Sequence, residues 1–526
     1  MTAHDSALPD DVDALQAMVR TITEKTARLE QRNAHLEQVN QGAEERIARL
    51  MAIVKMLERA RFGIRSERLG KDRLTDDQYA LALDEIETGV AALEAERDKA
   101  AGRSTKRPPR PRKGFAAHLE RVEVVVEPDD PAGCEGLERI RIGEDVCERL
   151  DVTPAQFRVI VTRRPKYVYK GRDGVIQAPA PARIITSGIP TEALLAQIAV
   201  SKYADGLPLY RQEAIYARDQ VLIERSQMAQ WMGKVGFELE PLAEHALARI
   251  KRGERIFADE TTLPTLAPGT GKAKTAYLWA YVRDDRPFGG RDPPMVVYRF
   301  EDSRAGDCVV RHLEGYRGIL QVDGYTAYHR LARSEGANEG VQLAACWSHV
   351  RRKFYELHVS DASVVAAQTL EQMALLWALE ETVRGKDAGT RMNARQETSA
   401  AVVSTLFKLW EKELPKLSRK SKLAEAIRYA LTRRASLERF VSDGRIELDS
   451  NTVERAIRPQ TITRKNSLFA GSDGGGRTWA AIASLLATAK MNNVDPHAWL
   501  TQTLERIANG WPNREIEALM PWNYRP

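Results

Sequence analysis

Cysteine is scarce. Cys134, Cys147, Cys308 and Cys346 are the four in 526 residues, too few and too scattered for a disulfide framework. No C-x-x-C pair occurs, and Cys134 and Cys147, two lone thiols, cannot close a four-ligand zinc shell. Long apolar runs are also missing, with no stretch of about 18 such residues to span a bilayer. The opening "MTAHDSALPDD" is acidic and polar, unlike a secretory signal. These absences exclude a disulfide-stapled secreted scaffold and a membrane-embedded protein, and point to a reducing cytoplasm. Neither sign of charge dominates: 79 Lys and Arg against 73 Asp and Glu leave +6. Where the positive charge lies therefore matters more than its sum.

What is present begins with a repeat. Leu15, Ile22, Leu29, Leu36, Ala43, Leu50 and Leu57 share one heptad position. Val19, Thr26, Asn33, Asn40, Ile47 and Val54 share the other core position. Heptads without proline predict a coiled coil in which Asn33 and Asn40 set register and partner number; an amphipathic helix packed on its own chain is the alternative. This coiled coil and a following helix fill 1–100. At 101–114, "GRSTKRPPRPRKG" carries three prolines and six basic residues, a composition for a solvated linker or a phosphate-binding arm. Strand-like runs such as "FRVIVTRRPKYVYK" alternate with turns over 115–188, predicting a small β-rich domain. Residues 189–252 read as helical. There "LPLYRQEAIYARDQ" and "RSQMAQWMGKVGFELEPLAEHAL" form a helix-turn-helix-like hairpin with Ser226 as N-cap of its second helix. Arg211, Arg218, Arg225 and Lys234 are its candidate DNA contacts.

From 253 the texture changes to strand, strand, strand, helix, strand, helix, strand, helix. That order describes an α/β, ribonuclease-H-like mixed sheet. Asp259 in "IFADET" and Asp323 in "LQVDGY" each end an apolar run. In such a sheet the first and fourth strands lie side by side, so the two carboxylates face each other. Bare carboxylates that close repel, and one protonates. A divalent cation between them removes that cost, and Mg²⁺ suits a few carboxylate oxygens plus water and phosphate. A third acidic ligand is expected from Glu447, Asp449 or Glu454 in "GRIELDSNTVERAIRP". Glu454 lies among Arg455, Arg458, Arg464 and Lys465, which suit phosphates. It also reads as the far half of a capping box with Asn451, and spacing alone does not choose. His349 in "CWSHVRRKF" is placed to orient a phosphate or a water, or is a satisfied histidine at a strand end. Arg351, Arg352 and Lys353 meet DNA backbone or form a solvated face.

"ADET", "QVDGYTAY", "CWSHVRRKF", "NTVERAIRP" and "RKNSLFAGSDGGG" together resemble the transposases of the insertion-sequence-66 type, which are DDE transposases. "YRQEAIYARD", "RFGIRSERL" and the closing "MPWNY" extend the resemblance over nearly the whole chain. It implies the triad Asp259, Asp323 and Glu454, holding two Mg²⁺ or Mn²⁺ ions. It also implies cleavage at an element's terminal inverted repeats and strand transfer into target DNA, with no nucleophilic Ser or Tyr. A bacterial, nucleoid-associated location, self-association through the heptads and small companion proteins from the same element follow from it as expectations. Relatives often carry C-x-x-C pairs after the coiled coil; "KYVYKGRDG" lacks one here, which argues against structural zinc. The catalytic domain would run 253–357 and 445–500, split by a helical insertion at 358–444 that contacts DNA or braces the site, with a tail at 501–526. Two other functions fit the same residues: a DNA-binding architectural or regulatory protein without catalysis, and a nuclease of this fold without strand transfer.

Overall fold

The structure is a computed structural model. It describes residues 11–13, 15–30 and 157–525, apart from breaks at 164–165, 168–175, 178, 186–188, 268–271, 325–326, 334–339 and 362. The chain divides into two compact units, Met1–Gln156 and Phe157–Pro526. In the first, 15–30 is helical, and the heptad residues Val19, Ile22 and Leu29 stand 60%, 53% and 51% exposed. The later heptads, the basic linker and most of 115–188 lie outside the described residues. Within the second unit Lys166–Tyr167 (β1) pairs antiparallel with Ile176–Gln177 (β2). The strand expected over "FRVIVTRR" is absent from 157–163, where Val159, Ile160 and Val161 are exposed and no apolar face is buried to hold a ladder.

Three helices follow: α1 (Glu192–Tyr203), α2 (Leu209–Arg218) and α3 (Arg225–Ile250). Thr191 caps α1 by accepting from the Leu194 N–H at 3.3 Å. The N-cap of α3 is Glu224, and Ser226 lies inside the helix. The reason is a partner the local sequence does not show. Glu213, on α2, accepts the Arg225 N–H at 3.1 Å, so the neighbouring helix satisfies the first unpaired donor of a helix that starts one residue before Ser226.

Five strands form one mixed sheet: β3 (Arg255–Ala267), β4 (Lys272–Arg283), β5 (Met295–Glu301), β6 (Ile319–Val322) and β7 (Gln342–Ala345). Their spatial order is β5-β4-β3-β6-β7. β3, β4 and β5 are antiparallel neighbours, whereas β6 runs parallel to β3 and to β7. Helices α4 (Gly306–His312) and α5 (Ala327–Arg333) link β5, β6 and β7, and α6 (Trp347–Asp361) follows β7. The expected element order is therefore observed. Residues 319–322 are buried throughout, as parallel strands covered on both faces require.

Beyond α6 come α7 (Val364–Val383), α8 (Ala388–Ala394), a π-helical turn at Arg395–Ser399, α9 (Ala400–Glu413), α10 (Lys422–Leu431) and α11 (Arg434–Ser442). Ser363, Asp387 and Ser421 cap α7, α8 and α10. These helices build a second core on β7 and α6. In it Phe354 stacks on Trp410 at 5.3 Å, and Trp347 meets Phe440 at 6.0 Å. The chain then returns to the sheet through α12 (Asn451–Ser467), α13 (Asp473–Met491) and α14 (Pro496–Ala508). Edge strand β5 is closed by α13: Tyr298 N–H donates to Ser484 Oγ at 2.7 Å, and Val296 N–H donates to Thr488 Oγ1 at 3.1 Å. Hydroxyls thus satisfy ladder groups that an open edge would leave unpaired. Gly476 permits the approach, since a Cβ there would sit 2.3 Å from the Phe300 ring. Among the described residues no helix is long and apolar enough to cross a membrane.

Candidate active site

The parallel pairing of β3 with β6 matches Arg255 to Ile319 and Phe257 to Gln321. Two residues further along stand Asp259, in β3, and Asp323, just past the end of β6, at one level along the parallel pair. Both are half-buried. Asp259 is pushed up to about 7, first by burial and then by the charges of Glu260 and Asp323, with a smaller contribution from Glu454. The Glu260 N–H opposes this by donating to Asp259 Oδ1 at 2.8 Å. The turn after Asp323 needs Gly324, whose φ is +98°, and a Cβ there would meet Arg433 Nε at 2.6 Å. That crowding is a brace from the helices around α10. Tyr429 O–H donates to the Asp323 carbonyl at 2.8 Å, and Arg433 donates to the Gly324 carbonyl at 3.0 Å.

The three later carboxylates have different surroundings. Glu447 accepts from Arg391 at 2.6 Å and lies 3.6 Å from Arg255. Asp449 takes the Asn451 N–H at 3.0 Å and its side-chain amide at 2.8 Å. The capping box with Asn451 is therefore not formed by Glu454. Asp449, two residues before, already satisfies that N–H, and Ser450 is the N-cap of α12. Glu454 instead accepts from Ser450 Oγ at 3.3 Å, and its Oε1 lies 4.0 Å from His349 Nδ1.

Both ends of α12 are tied to the sheet. At its start, the fully buried Gln321 donates to the carbonyls of Glu447 and Asp449 at 2.6 and 3.0 Å. The same amide accepts the Glu447 N–H at 3.1 Å. At its far end, Arg464 donates to Thr261 and Thr262, and Ala470 N–H donates to the Pro264 carbonyl at 2.8 Å. The helix bearing Glu454 thus spans β6 and β3, the two strands bearing the aspartates.

Comparison with known proteins gives the family. The family model described as "Transposase IS66 family" matches residues 187–478, more than half of the chain. The chain belongs to the IS66 transposase family. Three further models match in order: "Transposase C of IS166 homeodomain" at 49–124, "zinc-finger binding domain of transposase IS66" at 132–171 and "IS66 C-terminal element" at 484–522. The second of these regions holds Cys134 and Cys147, which lie outside the described residues; the expectation against structural zinc thus meets a family match that is consistent with zinc. Curated relatives come from Sinorhizobium fredii (strain NBRC 101917 / NGR234). "Uncharacterized protein y4qI" is 64% identical over 99% of this chain and 98% of its own. "Uncharacterized protein y4jD" is 40% identical over 93% and 98%, and "Uncharacterized protein y4hP" is 33% identical over 90% and 89%.

Membership in a transposase family makes DNA the partner against which the cations of this chain are read. Arg211, Arg218, Arg225 and Lys234 are exposed on α2 and α3, with Lys234 2.6 Å from Glu238. Arg352, Arg455, Arg458 and Lys465 are exposed as well. Arg351 lies over the Tyr355 ring, and Lys353 lies over Tyr429 and 3.9 Å from Glu425. Arg464 is the exception, because its guanidinium is taken up by Thr261 and Thr262. His349 borders Glu454, and its Nδ1 is buried without a hydrogen-bond partner. Sequence reading missed Gln321, Tyr429 and Arg433, which hold the site together through backbone carbonyls. It also missed Glu260, buried beside Asp259 and held by Tyr328 at 2.8 Å and Arg304 at 2.5 Å. Only "ADET" hinted at that neighbour.

Proposed function

We propose that this transposase cuts the ends of its insertion sequence and joins them to target DNA, using Asp259, Asp323 and Glu454 on a ribonuclease-H-like sheet. The observation that carries this reading is the parallel register of β3 and β6, which brings Asp259 level with Asp323. The charge of Glu454 also reaches Asp259. A carboxylate raised by burial and by its acidic neighbours lacks a compensating positive charge, and hard oxygen donors of this kind fit Mg²⁺ or Mn²⁺. When bound, two such ions would activate the attacking oxygen and stabilise the departing one at phosphorus.

The remaining work falls to the chain. Asp259 and Asp323 are held by strand backbone, Glu454 by a helix anchored at both ends. Arg351, Arg352, Arg455, Arg458 and Lys465 lie in segments next to the carboxylates and would neutralise DNA phosphates. The helical hairpin of α2 and α3, with Arg211, Arg218, Arg225 and Lys234, would bind the terminal inverted repeats. Residues 253–357 and 445–500 form the catalytic domain in this reading, and 358–444 braces it. The exposed Val19, Ile22 and Leu29 would pair with a second copy through a coiled coil.

The test is incubation of labelled element ends with the protein, Mg²⁺ or Mn²⁺ and a target plasmid. Expected are metal-dependent cuts at the ends and joined products, both lost in Asp323→Asn while end binding persists. Cutting without joined products would make the protein a nuclease of this fold. Binding without cutting would leave an architectural protein.

A further inference from the structure

Cys346, His349 and Glu454 converge: the thiol sulfur, an imidazole nitrogen and a carboxylate oxygen all lie within 4.8 Å of one another. The first two come from one turn. Cys346 ends the segment after β7 and His349 sits in the first turn of α6, a C-x-x-H spacing that puts both on one side of a helix start. Glu454 comes from the first turn of α12, more than a hundred residues later. The set is built in layers. Cys346 is 1% exposed and forms the base. The side chains of His349 and Glu454 are 24% and 32% exposed and form the rim. Backbone N–H groups of Ser450, at 3.2 Å, and of His349 point at the sulfur. His349 Nδ1 is buried, faces Glu454 at 4.0 Å and has no hydrogen-bond partner.

We propose that Cys346, His349 and Glu454 form a binding site for a thiophilic divalent ion such as Zn²⁺, distinct in chemistry from the carboxylate site that Glu454 also serves. One sulfur, one nitrogen and one oxygen are a zinc donor set, and three protein ligands leave a fourth position for water. Ligand atoms around a tetrahedral zinc stand roughly 3.5 Å apart, so the trio closes by rotation of the two rim side chains. A thiolate and an imidazole select against Mg²⁺. The ion would therefore hold Glu454 away from the catalytic pair and inhibit the transposase. This inhibitory consequence rests on the reading of Glu454 as a catalytic ligand, whereas the binding itself does not.

Cobalt is the probe, because a thiolate ligand gives Co²⁺ an intense near-ultraviolet charge-transfer band. The full chain is used with Cys134→Ser and Cys147→Ser, which removes the thiols of the zinc-finger-like region. One equivalent of Co²⁺ should give the band and Zn²⁺ should bleach it. Adding Cys346→Ser should abolish it. His349→Gln, at a partly exposed position, should keep the band but weaken Co²⁺ binding by more than about tenfold, since even outer-shell losses cost that much. No band in the two-serine background, or a band that survives Cys346→Ser, overturns the site. For inhibition, each variant is compared with its own rate in Mg²⁺. Trace Zn²⁺ should slow end cleavage by the two-serine chain and slow the His349→Gln chain far less. Cobalt binding with undiminished cleavage in Zn²⁺ overturns the inhibitory role. No cleavage in Mg²⁺ alone defeats the transposase reading and leaves the cobalt result standing.

Discussion

Asp259 and Asp323 are held in place differently from Glu454. The aspartates sit on adjacent strands, and the ladder that aligns them is backbone pairing over Arg255–Phe257 and Ile319–Gln321. Glu454 sits on a helix whose position depends on buried polar side chains. Gln321 grips the backbone at 447–449, and Arg255 and Arg391 converge on Glu447. Arg391 and Arg395 in turn bind Glu380 on α7, and all three arginines are fully buried. Burial holds Arg255 down to about 10, although Glu447 opposes the shift. The strand-borne aspartates are thus aligned by backbone pairing, while the helix-borne Glu454 hangs on a few costly side-chain bonds. Such networks cost much to break singly, because each loss leaves a charge buried without its partner.

The comparison sharpens first at the carboxylates themselves. Glu454→Gln should abolish end cleavage as completely as Asp323→Asn, while unfolding free energy changes by under about 1 kcal/mol, the scale of a cap adjustment. A cleavage assay in Mn²⁺ beside a denaturant titration checks it. If Glu454→Gln stays active and Glu447→Gln or Asp449→Asn fails instead, the third ligand has been misassigned.

The anchor is the next place to break. Arg391→Ala should destabilise by about 3–5 kcal/mol, the usual cost of removing one partner of a buried pair. Gln321→Ala should cost about 1–3 kcal/mol through unsatisfied carbonyls, and should lower the cleavage rate of bound ends more than end binding. Calorimetry and single-turnover cleavage separate the two. An Arg391→Ala protein as stable as the parent would mean that Glu447 is held by the sheet alone.

The last comparison concerns the strand pair, where the effect depends on pH and on metal. Asp259 titrates near 7 when folded and near 3.9 when unfolded. The native state without metal therefore keeps a proton that the unfolded chain releases. Stability from this group is full below about pH 4 and is lost as pH rises toward 7. Asp259→Asn cannot ionise, so in EDTA its Tm should exceed the parent's above pH 7, with the gap closing toward pH 4. Mg²⁺ should narrow the gap at pH 8 by restoring the parent. Equal melting curves at every pH would show that neither burial nor the neighbouring carboxylates raise Asp259.

Local pattern reached far into the fold. The apolar runs ending in Asp259 and Asp323, and the order of strands and helices around them, were legible because strands and helices follow periods of a few residues. Family motifs carried the expectation that Glu454 is the third acidic residue. Other details depend on residues far apart in the chain. The N-cap of α3 went to Glu224 because Glu213 on another helix supplies the acceptor. The basic 358–444 stretch read as either DNA contact or brace, yet its Arg391 and Arg395 are interior and bound to Glu380. Arg391 holds Glu447 and Asn451 holds Asp449, while Glu454 faces His349, and spacing alone did not show this division. The chain order alone therefore determines which residues can form strands and which carboxylates end them. Which charge is buried, which is paired and which is left facing Asp259 is decided in three dimensions. A hydrogen bond or ion pair depends on distances between residues that chain spacing does not encode, such as the 126 positions between Gln321 and Glu447.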